Sequence, residues 1–164
     1  KPPVPKSVTA VFTNKVVNRD IEVVITESGR LMAKNRADLF AEVQKRKAQN
    51  NIDVFIVDEG QFLTKEQVFQ LANVVDTLGM PVIVYGLKTD FKLEMFEGSY
   101  HLMCLADKVE ELKTICWCGN KAHMNARVGD NGIVLREGEQ VEIGGNERYV
   151  SLCRKHFMEG NATR

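Results

Sequence analysis

The sequence has no excess of charge of either sign: 22 Lys and Arg are matched by 22 Asp and Glu over 164 residues. A general nucleic-acid binder needs a basic footprint, so that class is disfavoured, although a local basic patch stays open. No apolar run approaches the roughly 18 residues of a membrane-spanning helix. The opening segment KPPVPKS lacks an apolar signal core, so secretion is not expected and the cytoplasm is the expected location. The first residue is Lys rather than Met, which fits a fragment or a processed product. There is no internal repeat and no low-complexity segment. Cysteine is scarce, at four residues. The remaining composition, 44% hydrophobic and 27% charged, is that of an ordinary globular chain, long enough for one domain or one domain with a small appendage.

The most informative stretch is VFIVDEGQFL, Val54 to Leu63. The apolar run Val54-Phe55-Ile56-Val57 leads directly into two carboxylates, Asp58 and Glu59. A run bounded this way reads as a buried strand of a parallel sheet. Ligands of such sheets sit beyond the carboxyl ends of the strands. Two acids at that place suit a metal-bound phosphate and a proton transfer, which points to nucleotide chemistry. The plainer reading, an acidic pair opening a solvated loop, stands beside it.

Further punctuation follows. Val8 to Phe12 and Ile21 to Thr26 read as strands, and Arg36 to Asn50 as a helix with Leu39, Phe40 and Val43 on one face. Thr64 to Leu78 reads as a helix with Thr64 and Gln67 forming a capping box and Leu63 and Val68 a hydrophobic staple. Its apolar face is Val68, Leu71, Val75 and Leu78, and Gly79 and Pro81 end it. Pro81 to Gly86 reads as a second buried strand, completing a βαβ unit. Leu102 to Ala106 looks helical, and Cys104 within it reads as a buried small hydrophobe.

After Leu112 the chain changes character to short strands and turns, in ICWCG, AHMNARV and EQVEIGGNERYVSL, with turn signals at Gly129 to Gly132 and at Gly144-Gly145. This part has too little apolar mass for a core of its own and needs a staple. Cys116, Cys118, Cys153 and His156 offer one. Three cysteines and a histidine fit tetrahedral zinc better than disulfides, with Gly119 supplying a turn. A cluster of free thiols, with His156 on a helix surface, is the alternative.

Several long motifs carry a family resemblance: VDEGQFL (Val57 to Leu63), GLKTDF (Gly86 to Phe91) followed by Phe96, VEELKTICWCGNKA (Val109 to Ala122) and EIGGNERYVSLCRKH (Glu142 to His156). Over about Asp53 to Phe157 the chain strongly resembles the type II thymidine kinases, tetrameric zinc-containing enzymes, with the Cys-x-Cys spacing of the bacterial and phage branch. The resemblance implies an α/β fold: a P-loop-NTPase-like parallel sheet with flanking helices over 1–112, and a small zinc-stabilised lasso domain over 113–164. It implies that Glu59 is the general base toward the 5′-hydroxyl of thymidine and that Asp58 helps hold the Mg2+ bridging the ATP phosphates. Gly60 and Gln61 continue the nucleotide-facing loop. Phe62, Phe91 and Phe96 flank the nucleoside, Phe96 being equally readable as a core aromatic. The stretch Gln140, Val141, Glu142, Ile143 and Gly144 is the lasso that closes over thymidine, with Leu87 and Tyr149 against the thymine methyl. Cys116, Cys118, Cys153 and His156 hold the structural zinc, leaving no open coordination position.

One departure bears on activity. The family's phosphate loop, G-x-x-x-x-G-K-S/T, is not among these 164 residues. Lys1-Pro2 resembles the end of the family's second strand, so the strand and helix before it are expected to be cut off. The family's next Asp and Arg are not recognisable in PVPKSVTAVF, and Arg19 matches weakly. The expectation is a truncated or divergent thymidine kinase that by itself binds ATP poorly. Two other classes stay in play: a degenerate, non-catalytic nucleoside-binding module, and a zinc-ribbon nucleic-acid binder.

Overall fold

The structure is a computed structural model that describes residues 8–12, 38–49, 52–141 and 148–163, the first of these by backbone alone. The expected strand at Ile21 to Thr26, the Lys1-Pro2 pair, Arg19 and lasso residues Glu142, Ile143 and Gly144 lie outside the described residues.

Four parallel strands form the main sheet: β1 (Val8–Phe12), β2 (Phe55–Val57), β3 (Val82–Gly86) and β4 (Lys108–Glu111), in the order β2-β3-β1-β4. Val57 stands opposite Val84, and Phe12 opposite both Gly86 and Glu111. The carboxyl ends of β2 and β3 are therefore adjacent, and the loops leaving them share one edge of the sheet.

Helix α1 (Leu39–Gln49) starts where the Asp38 carboxylate accepts the Ala41 amide at 3.0 Å. It packs on α2 (Lys65–Leu78), and Gln70 of α2 accepts the Leu39 amide at 2.8 Å. The capping box of α2 is formed in full: Thr64 Oγ1 accepts the Gln67 amide at 3.3 Å, and Gln67 Oε1 accepts the Thr64 amide at 2.9 Å. Leu63 and Val68, the two staple residues, are both buried, and the helix closes at Gly79. Val68, Leu71, Val74 and Val75 of α2 meet Val57, Val82 and Val84 of the sheet in one core, joined by Leu39 and Val43.

Helix α3 (Glu97–Leu105) begins five residues before the helical stretch seen in the sequence. It seats Leu102 in the core but leaves Cys104 exposed, which corrects the expectation of a buried cysteine. The reason is angular: at about 100° per residue, position 104 points some 200° away from position 102. Strand β4 was invisible in the sequence because all four of its residues are exposed and show no alternation.

Gly98 locks α3 against the loop that follows β2. A Cβ there would lie 2.4 Å from the Gly60 carbonyl oxygen, 2.7 Å from that of Leu63 and 2.9 Å from that of Gln61. None of these backbone oxygens can swing aside. Gly98→Ala is expected to cost about 1–3 kcal/mol and lower the melting temperature by about 3–10 °C; thermal denaturation of the variant checks this.

Beyond Leu112 two antiparallel ribbons follow, β5 (Thr114–Ile115) with β6 (Lys121–Ala122), and β7 (Met124–Arg127) with β8 (Tyr149–Leu152). Helix α4 (Arg154–Glu159) follows β8, and beyond it Asn161 bridges to Ile133. A second, smaller core forms here around Cys116, Ala122, Ala126, Val134, Leu152, Cys153 and Phe157. Among the described residues no helix is long and apolar enough to cross a membrane.

Candidate active site and metal cluster

The acidic pair leaves β2 at its carboxyl end, and both residues are exposed. Asp58 Oδ1 accepts the Glu59 amide at 2.9 Å, which folds the loop back on itself. Glu59 adopts φ 55°, ψ 37°. A left-handed backbone is uncommon for a residue with a Cβ, and such strain collects at functional sites. A short 3-10 turn, Gly60–Phe62, begins directly after it.

Gln61 is the hinge of this corner and is only 2% exposed. Its Nε2 donates to Glu59 Oε2, and its Oε1 accepts the Leu87 amide at 3.0 Å. One buried amide therefore aims the acid at the end of β2 and fixes the chain leaving β3. Ser99 of α3 adds a second tie, donating its hydroxyl to the Leu87 carbonyl at 2.5 Å. Phe62 and Phe96 meet edge to face at 5.7 Å, with Phe96 buried and Phe62 partly exposed.

The loop after β3 is organised by Asp90, itself 2% exposed. Its Oδ1 accepts the amides of Lys92 and Glu94, at 2.8 and 2.9 Å. Its Oδ2 accepts Gln140 Nε2 at 3.2 Å. The neighbouring Phe91 is buried beneath the Arg127 guanidinium, which lies 3.9 Å from its ring centroid. Arg127 also donates through Nε to the Tyr149 hydroxyl at 2.8 Å and through Nη1 to the Glu139 carbonyl at 3.0 Å. Sequence-predicted residues are thus brought together in two groups. Asp58, Glu59, Gly60, Gln61 and Leu87 sit at the strand ends, while Phe91, Gln140 and Tyr149 surround Arg127. Val141 is exposed.

Sequence reasoning passed over Arg127, Asp90, Ser99 and Gly98. Asp90 stood in plain view inside GLKTDF. Arg127 had one weak signal, a cation that directly follows Ala126 at the end of the short strand MNAR, where burial demands partners.

The second cluster is Cys116, Cys118, Cys153 and His156, whose donor atoms all lie within 4.8 Å of one another. Cys116 Sγ and Cys153 Sγ each stand 3.5 Å from His156 Nδ1, and Cys118 Sγ stands 3.9 Å from Cys153 Sγ. Metal–sulfur bonds of about 2.3 Å and metal–nitrogen bonds of about 2.0 Å give tetrahedron edges of about 3.5–3.8 Å. The set could therefore hold one metal ion. Gly119, at φ 89°, makes the tight turn that brings its own amide 2.8 Å from the Cys116 carbonyl. Trp117 stacks on the His156 ring at 4.0 Å and fixes its orientation. Burial pushes the Cys116 thiol up, but the amides of Cys118 and Cys153 and the side chains of His156 and Cys118 outweigh it and bring it down to about 6. The His156 amide draws Cys153 down, yet burial and the thiols of Cys116 and Cys118 together hold it above the ordinary range. Cys116 is then the first of these two thiols to ionise, the form a metal needs.

A family model described as thymidine kinase matches residues 5–157. The chain belongs to the thymidine kinase family. Similar curated proteins, each named thymidine kinase, come from bacteria. That of Mannheimia succiniciproducens is 52% identical over 123 residues, covering 75% of this chain and 63% of the relative. That of Pasteurella multocida is 49% identical over 145 residues, covering 88% and 73%. That of Salmonella typhimurium is 46% identical over 157 residues, covering 92% and 76%. The chain thus spans about two thirds to three quarters of the length of these relatives, and just under two thirds of the first. The bacterial company agrees with the type II branch that the Cys-x-Cys spacing resembles.

Proposed function

We propose that this chain carries the nucleoside side of a thymidine kinase, which transfers the γ-phosphate of ATP to the 5′-hydroxyl of thymidine. The single observation behind this reading is the Gln61 bridge. One side chain joins Glu59, the candidate base, to the Leu87 backbone beside the candidate thymine-methyl wall. An acid held in register with a nucleoside wall is what alcohol activation requires, because a base must reach the proton it removes.

In this reading Glu59 accepts the proton from the 5′-hydroxyl as the oxygen attacks phosphorus. Bound Mg2+ would neutralise charge on the ATP phosphates. Asp58, with one oxygen engaged by the Glu59 amide, is the residue here suited to hold that ion. Phe62 and Phe96 flank the sugar and base, Leu87 and Tyr149 bound the 5-methyl, and the segment from Gln140 to Gly144 covers the nucleoside. The cysteine–histidine set holds structural zinc and anchors the chain on both sides of that segment. The working division is 1–112 as the nucleotide-binding core and 113–164 as the lasso domain, in a cytoplasmic homotetramer. The exposed Phe69, Tyr100 and Met103 on α2 and α3 are apolar surface that such an assembly would cover.

A second reading is a kinase-derived module that binds thymidine without phosphorylating it; the phosphate loop G-x-x-x-x-G-K-S/T, whose amides, Lys and hydroxyl cradle ATP, is the feature that tells the two apart. Intact mass and N-terminal sequencing of the natural product, beside a coupled thymidine kinase assay, separate the two. An active natural chain carrying the loop supports the kinase. A natural product that begins at Lys1 and binds thymidine without turnover supports the binding module.

A further inference from the structure

Arg127 is 3% exposed, a guanidinium inside a small domain. Burial of a charge on that scale is costly unless the fork is engaged on several sides. Among the described residues, partners come to it from three separate places in the chain. Below it lies the Phe91 ring, on the loop after β3. Beside it lies Tyr149, its cross-strand neighbour between β7 and β8, whose hydroxyl accepts from the guanidinium. Ahead of it lie the carbonyls of Glu139 and Gln140, at 3.0 and 3.5 Å. Gln140 in turn reaches Asp90, one residue before Phe91, so the path closes into a ring: Asp90, Gln140, Arg127, Phe91.

We infer that Arg127 is the positioning residue of the nucleoside pocket. It fixes the spacing of Phe91 and Tyr149 and bolts the segment that opens at Glu139-Gln140 onto the core loop. The inference rests on the proposed nucleoside site, because it assigns Arg127 no contact with the reacting atoms. The planar fork is what the geometry uses. The guanidinium lies over an aromatic ring while its N–H groups meet a phenol oxygen and two carbonyls. A lysine ammonium keeps the charge but cannot do both at once.

Arg127→Lys is the test, since it keeps the charge and most of the volume. Thymidine titration by calorimetry is expected to show affinity weakened about ten- to a hundred-fold, the scale of lost charge-assisted hydrogen bonds. Hydrogen exchange read at 138–141 is expected to speed up, while β7, β8 and bound zinc stay as in the parent chain. Arg127→Met is expected to show the same pattern more strongly. Parent-like thymidine affinity in Arg127→Lys, with unchanged exchange at 138–141, would overturn the inference. The exchange measurement needs no ligand. If the parent chain binds no thymidine, the proposed function fails, while faster exchange at 138–141 in Arg127→Lys still supports the bolt.

Discussion

Glu59→Gln is expected to cut thymidine phosphorylation about 10²- to 10⁴-fold, the range that one positioned general base supplies. The measurement is made on the natural protein, in a coupled assay with thymidine and magnesium-ATP. A glutamine at position 59 is nearly isosteric, can keep the contact with Gln61, and cannot take a proton. Thymidine affinity should therefore change less than about three-fold, because the loss falls on the transition state alone. Asp58→Asn in the same background is expected to act differently, weakening the response to magnesium-ATP. A Glu59→Gln enzyme within a few-fold of the parent rate would remove Glu59 from the chemistry.

Removal of the metal is expected to have the second large effect. The smaller core is built around Cys116 and Cys153, with six other buried residues. Apparent zinc-binding free energies of small domains are on the order of 10 kcal/mol, so an ion held by these four donors would supply folding energy directly. Chelation, or Cys153→Ala, should lower the melting temperature by at least ~10 °C and abolish thymidine binding. The sole tryptophan, Trp117, stacks on His156, so its fluorescence should report the loss. The pH dependence has a definite sign. Cys116 has its folded pKa lowered to about 6 from the ordinary thiol value of about 9. Its contribution is full above the unfolded value, shrinks as the pH falls from about 9 towards 6, and is gone below. Zinc retention measured against a chromogenic chelator should weaken as the pH falls, because protons compete with the metal for the thiolates.

What the sequence made legible was whatever has a local signature. The capping box at Thr64 and Gln67, the staple of Leu63 and Val68 and the stop at Gly79 are decided within a few residues, and all are formed. Strands β2 and β3 announced themselves by apolar runs, but in β2 only Val57 is buried, Phe55 and Ile56 are partly exposed, and Val54 lies exposed before the strand. Strand β4 could not, because KVEE lies exposed along its length, and only pairing with β1 makes it a strand. Cys104 was misread because an apolar neighbourhood does not say which face of a helix meets the core. The metal cluster was legible as a set of donors, and the structure adds that 35 to 40 residues of separation close to 3.9 and 3.5 Å. Arg127 lay beyond reach for a related reason. Its partners stand at 91, 139, 140 and 149, and no spacing rule links them.

The most direct test is a calorimetric titration of the zinc-loaded chain with thymidine and with 2′-deoxyuridine, repeated after chelation. The prediction is one site per chain and thymidine favoured by about ten-fold or more, as one buried methyl allows, with binding lost when the metal is stripped. A folded, zinc-loaded chain that binds neither nucleoside, or binds both equally with or without the metal, would contradict it.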